Sequence, residues 1–184
     1  NPAGMRAVCL AILGPGELVG ESAGPYKLMN SLSFWRNNGR DEGAAAVAEL
    51  LRQGKDSVPI THVQLMDNKV GIAGCAALGS ALQASCNKKL ITLRLNLNDT
   101  INDAACAALC EGMCNNASLK KLDLEQCSIG ADGALALGKV LSYQSSAMET
   151  LNLRGNRIGN AGLQALSRAL AKNKKLKAID IRDN

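Results

Sequence analysis

METLNLRGNRIGNAGLQALSRAL, residues 148–170, changes its periodicity partway along. From Met148 to Arg154 apolar and polar residues alternate, which puts Leu151 and Leu153 on one face of a short strand. From Gly162 onward apolar residues fall three and four apart, so Leu163, Leu166, Ala169 and Leu170 form one helical stripe. Asn156, Ile158 and Gly159 lie between the two patterns. The stretch reads as strand, turn and helix in 23 residues.

The same register recurs along the chain. LKKLDLEQCSIGADGALALGKVL at 119–141 and ITHVQLMDNKVGIAGCAALGSAL at 60–82 align with it directly. MNSLSFWRNNGRDEGAAAVAELL at 29–51 aligns with a glycine where Ile is expected. LITLRLNLNDTINDAACAALCEGM at 90–113 carries one extra residue after its strand, and LKAIDIRDN at 176–184 is the front half of a further copy. Leu32, Val63, Leu93, Leu122, Leu151 and Ile179 are equivalent, at spacings of 28 to 31 residues. Self-similarity at such a period marks a repeat architecture.

Each position of the unit has a physical task. The series Asn37, Asn68, Asn98, Cys127, Asn156 and Asn184 supplies side chains that bond the backbone of neighbouring turns. The insertion makes Asn98 the least regular member. Gly71, Gly130 and Gly159 suit a tight turn. One unit cannot bury both its strand face and its helix stripe, but stacked units can. Strands then pair in parallel on one side and helices crowd the other, which bends the stack into a horseshoe. The fold class is α/β, a right-handed βα solenoid with the sheet concave and the helices convex.

The pattern L-x-x-L-x-L-x-x-N/C-x-I-G-x-x-G followed by a helix resembles the leucine-rich repeat, in its ribonuclease-inhibitor subtype. The resemblance covers residues 28–184 as five full repeats and one partial repeat. It implies a binding scaffold and names no partner. Residues 1–27 depart from it. NPAGMRAVCLAIL reads as a buried helix with Asn1 near its cap and Pro2 in its first turn, and GPGELVGESAGPY as a loop. Together they are expected to cap the first repeat, while Ile179 and Ile181 leave the other end open.

Composition narrows the function. The chain has 184 residues, 47% hydrophobic and 2% aromatic, so one domain is packed by Leu, Ala, Ile and Val. Its net charge of +5 is interleaved, and the densest run, KNKK at 172–175, reads as a solvated helix end. No nucleic-acid partner is expected. Seven cysteines without a C-x-x-C pair point to reduced thiols and a cytoplasmic protein. No apolar run approaches the roughly 20 residues of a membrane span, so no membrane partner is expected either.

Three tempting sites dissolve on inspection. GPGELVGES at 14–22 puts Glu21 where a phosphate loop needs Lys. Cys106, Cys110 and Cys114 share a helix face, but they align with core and small-residue positions and lack a set of four zinc ligands. His62, the single histidine, has no nucleophile or orienting group at a matching position. No enzyme, metal, cofactor or small-molecule substrate is expected. The sequons at Asn98 and Asn116 favour an intracellular protein, because Asn98 falls in the buried turn.

The outward strand positions give the candidate binding surface. One column is Ser33, Gln64, Arg94, Asp123, Asn152 and Asp180. The next is Trp35, Met66, Asn96, Glu125, Arg154 and Arg182, and the one before is Ser31, His62, Thr92, Lys121, Thr150 and Ala178. A surface this wide on rigid strands suits a protein partner. Trp35 and Met66 form an apolar anchor of the type enriched in hot spots. The alternating charges beyond them set register and reject wrong partners. The site residues are therefore Trp35, Gln64, Met66, Arg94, Asp123, Glu125, Asn152, Arg154, Asp180 and Arg182. Resemblance to Ran GTPase-activating protein implies an alternative, activation of a small GTPase, and axonemal relatives imply another, a structural role in a cytoskeletal assembly. Ribonuclease inhibition is disfavoured, because those enzymes are usually basic and so is this chain.

Overall fold

The computed structural model describes residues 1–14, 27–83 and 85–184. Beyond Gly14, the GPGELVGES loop lies outside the described residues. Helices and strands alternate: α1 (Pro2–Leu13), β1 (Ser31–Ser33), α2 (Arg40–Gln53), β2 (His62–Gln64), α3 (Ile72–Leu82) and β3 (Thr92–Arg94). They continue as α4 (Asp103–Met113), β4 (Lys121–Asp123), α5 (Ala131–Ser142), β5 (Thr150–Asn152), α6 (Gly159–Leu170) and β6 (Ala178–Asp180). The strands form one parallel sheet in chain order. Leu32, Val63, Leu93, Leu122, Leu151 and Ile179 pair in one register, as the repeat alignment requires. Strands in a sheet sit about 4.8 Å apart and packed helices about 8–10 Å apart, so the stack bends with its sheet inside. No helix among the described residues is long and apolar enough to cross a membrane.

The core runs unbroken along this arc. Val63, Leu65, Leu93, Leu95, Leu122 and Leu124 point inward from the strands and meet Leu78, Leu109 and Leu137 from the helices. Full burial of each such side chain contributes about 1.5–3 kcal/mol. The asparagine column ties one repeat to the next. Asn98 Nδ2 donates to Leu65 O and Leu95 O at 2.9 and 2.8 Å, while its Oδ1 accepts from Asn68 N and Val70 N. Asn156 bridges Leu124, Leu153 and Ile129 in the same way. Cys127 keeps the donor bond, with Sγ 3.6 Å from Leu95 O. Asn98, in the irregular copy, is fully buried and makes the full set of bonds.

The glycines after each turn work for different reasons. Gly159 has φ +58°, a left-handed conformation that favours glycine. Gly71 and Gly130 are extended, and their amides instead bond Asp41 Oδ1 and Asp103 Oδ1 of the preceding repeat, both at 2.6 Å. A Cβ on Gly130 would come within 2.9 Å of the Asp103 carboxylate. Those acids cap the helix of the following repeat.

α1 packs on α2 as the later helices pack on each other. Asn1 Oδ1 accepts from Gly4 N at 2.8 Å and Pro2 opens the helix. The helix is amphipathic and not buried all round. Met5, Cys9 and Ile12 enter the core, but Val8 stays 42% exposed.

Candidate functional site

The concave surface extends beyond the three-residue strands. Backbone bonds continue from Leu65 N to Arg94 O and from Leu95 N to Asp123 O, then from Asp67 N to Asn96 O and from Leu97 N to Glu125 O. The column holding Trp35 and Met66 is thus pinned on both sides by inter-repeat bonds. Immediately after it stand Arg36, Asp67, Leu97, Gln126, Gly155 and Asp183, all with φ between +51° and +67°. Five of the six carry a Cβ. This left-handed residue in every repeat turns the chain off the sheet and into the asparagine column.

Trp35 is 57% exposed, so it does not pack beneath α1. Met66 is half-buried beside it, and Leu97, at the rim of the third repeat, is 40% exposed. Gln64 is half-buried and Arg94 exposed. Asn96 Oδ1, one repeat beyond Met66, is buried and has no hydrogen-bond partner among the described residues. Thr92, expected to face outward, is buried.

The opposite end of the surface is chemically busy with itself. Asp123, Asn152 and Asp180 each turn Oδ1 back to the amide two residues on, at 3.2, 3.1 and 3.1 Å. Their residue type is therefore set in part by the strand end they close. Arg182 bonds Asp180, which holds that carboxyl down at about 2. Arg154 Nε donates to Asp183 at 2.8 Å. Asn152 Nδ2 donates to Glu125 at 3.1 Å. Burial pushes the Asp123 carboxyl up; the hydrogen bond from the Glu125 amide opposes this, the Glu125 charge adds to it, and Arg94 and Asn152 oppose it. Among the described residues Arg94, Asp123 and Glu125 form no ion pair.

The other candidates have structural partners. Thr61 Oγ1 lies 2.7 Å from His62 Nδ1. Cys106 Sγ donates to Gly133 O, Cys114 Sγ to Cys110 O, and all seven thiols are free. No group of three metal-ligating side chains occurs among the described residues. Asn98 and Asn116 are both buried and bonded to backbone.

Sequence reading missed a second asparagine column. Asn87, Asn116 and Asn173 follow α3, α4 and α6 and donate back to Leu51 O, Leu82 O and Leu141 O of the helix before each. Each Oδ1 accepts from the amides two and three residues later. The motif N-x-x-L at 87–90, 116–119 and 173–176 is the signal that marks it.

The family profile described as Leucine Rich repeat matches residues 86–110, 115–138 and 144–167. Pig ribonuclease inhibitor is 35% identical over 131 residues, covering 68% of this chain and 27% of that protein. Mouse "NACHT, LRR and PYD domains-containing protein 14" is 34% identical over 125 residues, covering 68% of this chain and 12% of that protein. Mouse ribonuclease inhibitor is 25% identical over 183 residues, covering 99% of this chain and 37% of that protein. The chain thus spans between about an eighth and three-eighths of these relatives.

Proposed function

The chain is a leucine-rich repeat protein of the ribonuclease-inhibitor-like subtype, and from that premise we propose that it is a non-enzymatic scaffold that holds a protein partner on its concave face. Repeats of this family are generally protein-interaction modules. Trp35 carries the reading: a large aromatic ring, 57% exposed, stands beside Met66 on backbone fixed by bonds on both sides. Rigid, exposed aromatic anchors are the residues that dominate interface energies. Arg94 and Glu125, which form no ion pair among the described residues, and the Asn96 oxygen, which has no hydrogen-bond partner among them, supply polar contacts around that anchor. Gln64, Asp123, Asn152, Arg154, Asp180 and Arg182 complete the surface and set register, those already bonded within the chain contributing less.

In this reading residues 1–27 are the N-terminal cap; for their described part, α1, the burial of Met5, Cys9 and Ile12 supports it. Seven free thiols and two buried sequon asparagines suit a reducing, cytoplasmic setting. No specific observation favours the GTPase-activating or cytoskeletal alternatives.

Affinity capture followed by calorimetry tests the scaffold. Trp35→Ala is expected to weaken the captured partner by about 2 kcal/mol, or roughly 30-fold. Arg154→Glu is expected to weaken it less. Unchanged affinity in both folded variants removes the concave face from the binding.

A further inference from the structure

The helical side of the molecule holds a groove that the scaffold reading does not use. It lies between α5 and α6 and encloses about 380 Å³. Gly138, Ala165 and Ala169 make its floor, with Leu135 toward one end and Tyr143 toward the other. From Leu135 to Tyr143 it runs about 12 Å along the helix axes. Lys139 borders it on α5, and Arg168 and Lys172 border it on the α6 side, one helical turn apart. None of the three forms an ion pair among the described residues.

The charge around the groove is one-sided. Residues 157–177 contain Arg157, Arg168, Lys172, Lys174, Lys175 and Lys177 and no acidic residue; of these Lys177 is paired with Glu149. On α5 the single acid, Asp132, sits two turns before Lys139, and α6 has none. A second hollow of about 320 Å³, bordered by Lys172, Lys174 and Lys175, continues around the helix ends. Like charges at i and i+4 destabilise a helix when nothing neutralises them. Leu135 and Tyr143 are 47% and 44% exposed. The groove is therefore shallow, whereas small-molecule sites bury most of their ligand. An amphipathic helix presents apolar residues at i, i+3 or i+4 and i+7, a stripe about 10 Å long.

We propose that the α5–α6 groove docks an acidic amphipathic helix of a partner protein. Its apolar stripe lies on Gly138, Ala165 and Ala169, and its carboxylates meet Lys139, Arg168 and Lys172. This surface is separate from the concave face and stands or falls without it.

The test is fluorescence anisotropy with a labelled two-heptad peptide, Leu on one face and Glu elsewhere, and a second peptide with Gln for every Glu. The parent protein is expected to bind the Glu peptide saturably and the Gln peptide at least about tenfold more weakly. Arg168→Glu with Lys172→Glu, both at exposed positions, is expected to cause a similar loss. Ala165→Leu, which fills the floor, weakens binding as well, and Trp35→Ala leaves it unchanged. Absence of saturable binding, equal binding of the Gln peptide, or indifference to the double variant overturns the proposal. So does equal loss in Trp35→Ala, or a preference for phosphatidylserine vesicles over the peptide, which would assign the groove to a lipid surface.

Discussion

Gly79 on α3 and Gly138 on α5 hold the same repeat position, yet the two helix seams they serve differ. At the α3–α4 seam Gly79 faces Gly112, and a Cβ on Gly112 would lie 1.8 Å from Gly79 O. The two backbones touch. At the α5–α6 seam Gly138 faces Ala165 and Ala169, and a Cβ there would sit 3.4 Å from Ala165 O and 3.6 Å from Ala169 Cβ. Glycine against alanine holds the α5 and α6 backbones apart; glycine against glycine brings those of α3 and α4 into contact. A repeat protein can thus vary its outer surface through one small side chain while its sheet register stays constant.

The sharpest break of this contrast is Gly112→Ala. It forces α3 and α4 apart and is expected to cost about 3 kcal/mol in urea unfolding. A cost near zero would show that the seam is looser than its contacts imply. The next contrast is between the asparagines that cross the two seams. Asn116→Ala strands Leu82 O and the amides of Ser118 and Leu119 in a buried site, at about 2 kcal/mol. Asn173→Ala, in a half-buried site, is expected to cost about half as much by the same measurement. The smallest effect has the opposite sign. Gly138→Ala meets only ordinary contacts and is expected to raise stability by about 0.5–1 kcal/mol. A loss of stability there would mean that the two seams are equally tight.

What was legible in the sequence is what the stacking forces to repeat. Leu122, Leu151 and Asn156 must meet their counterparts at every turn of the solenoid, so period and residue type agree. The left-handed column escaped because Asp67, Leu97 and Gln126 share no residue type. Their conformation is imposed by the inter-repeat backbone bonds, not by side-chain chemistry. The Asp41 and Asp103 caps escaped because they act on the next repeat, 27 to 30 residues away. On the concave face the columns were legible from strand alternation alone. Which of their charges are spent within the chain was not. Arg154 reaching Asp183, and Asp180 closing on Arg182, depend on side-chain reach across the strand ends.

The proposed scaffold holds its protein partner on the concave face. Site-specific photocross-linking in cells tests it most directly, with a benzophenone side chain in place of Gln64 on the sheet or of exposed Ala104 on α4. A discrete cross-linked protein is expected from position 64, lost when Trp35→Ala is added, and none from position 104. A partner captured from 104 and not from 64 would contradict it.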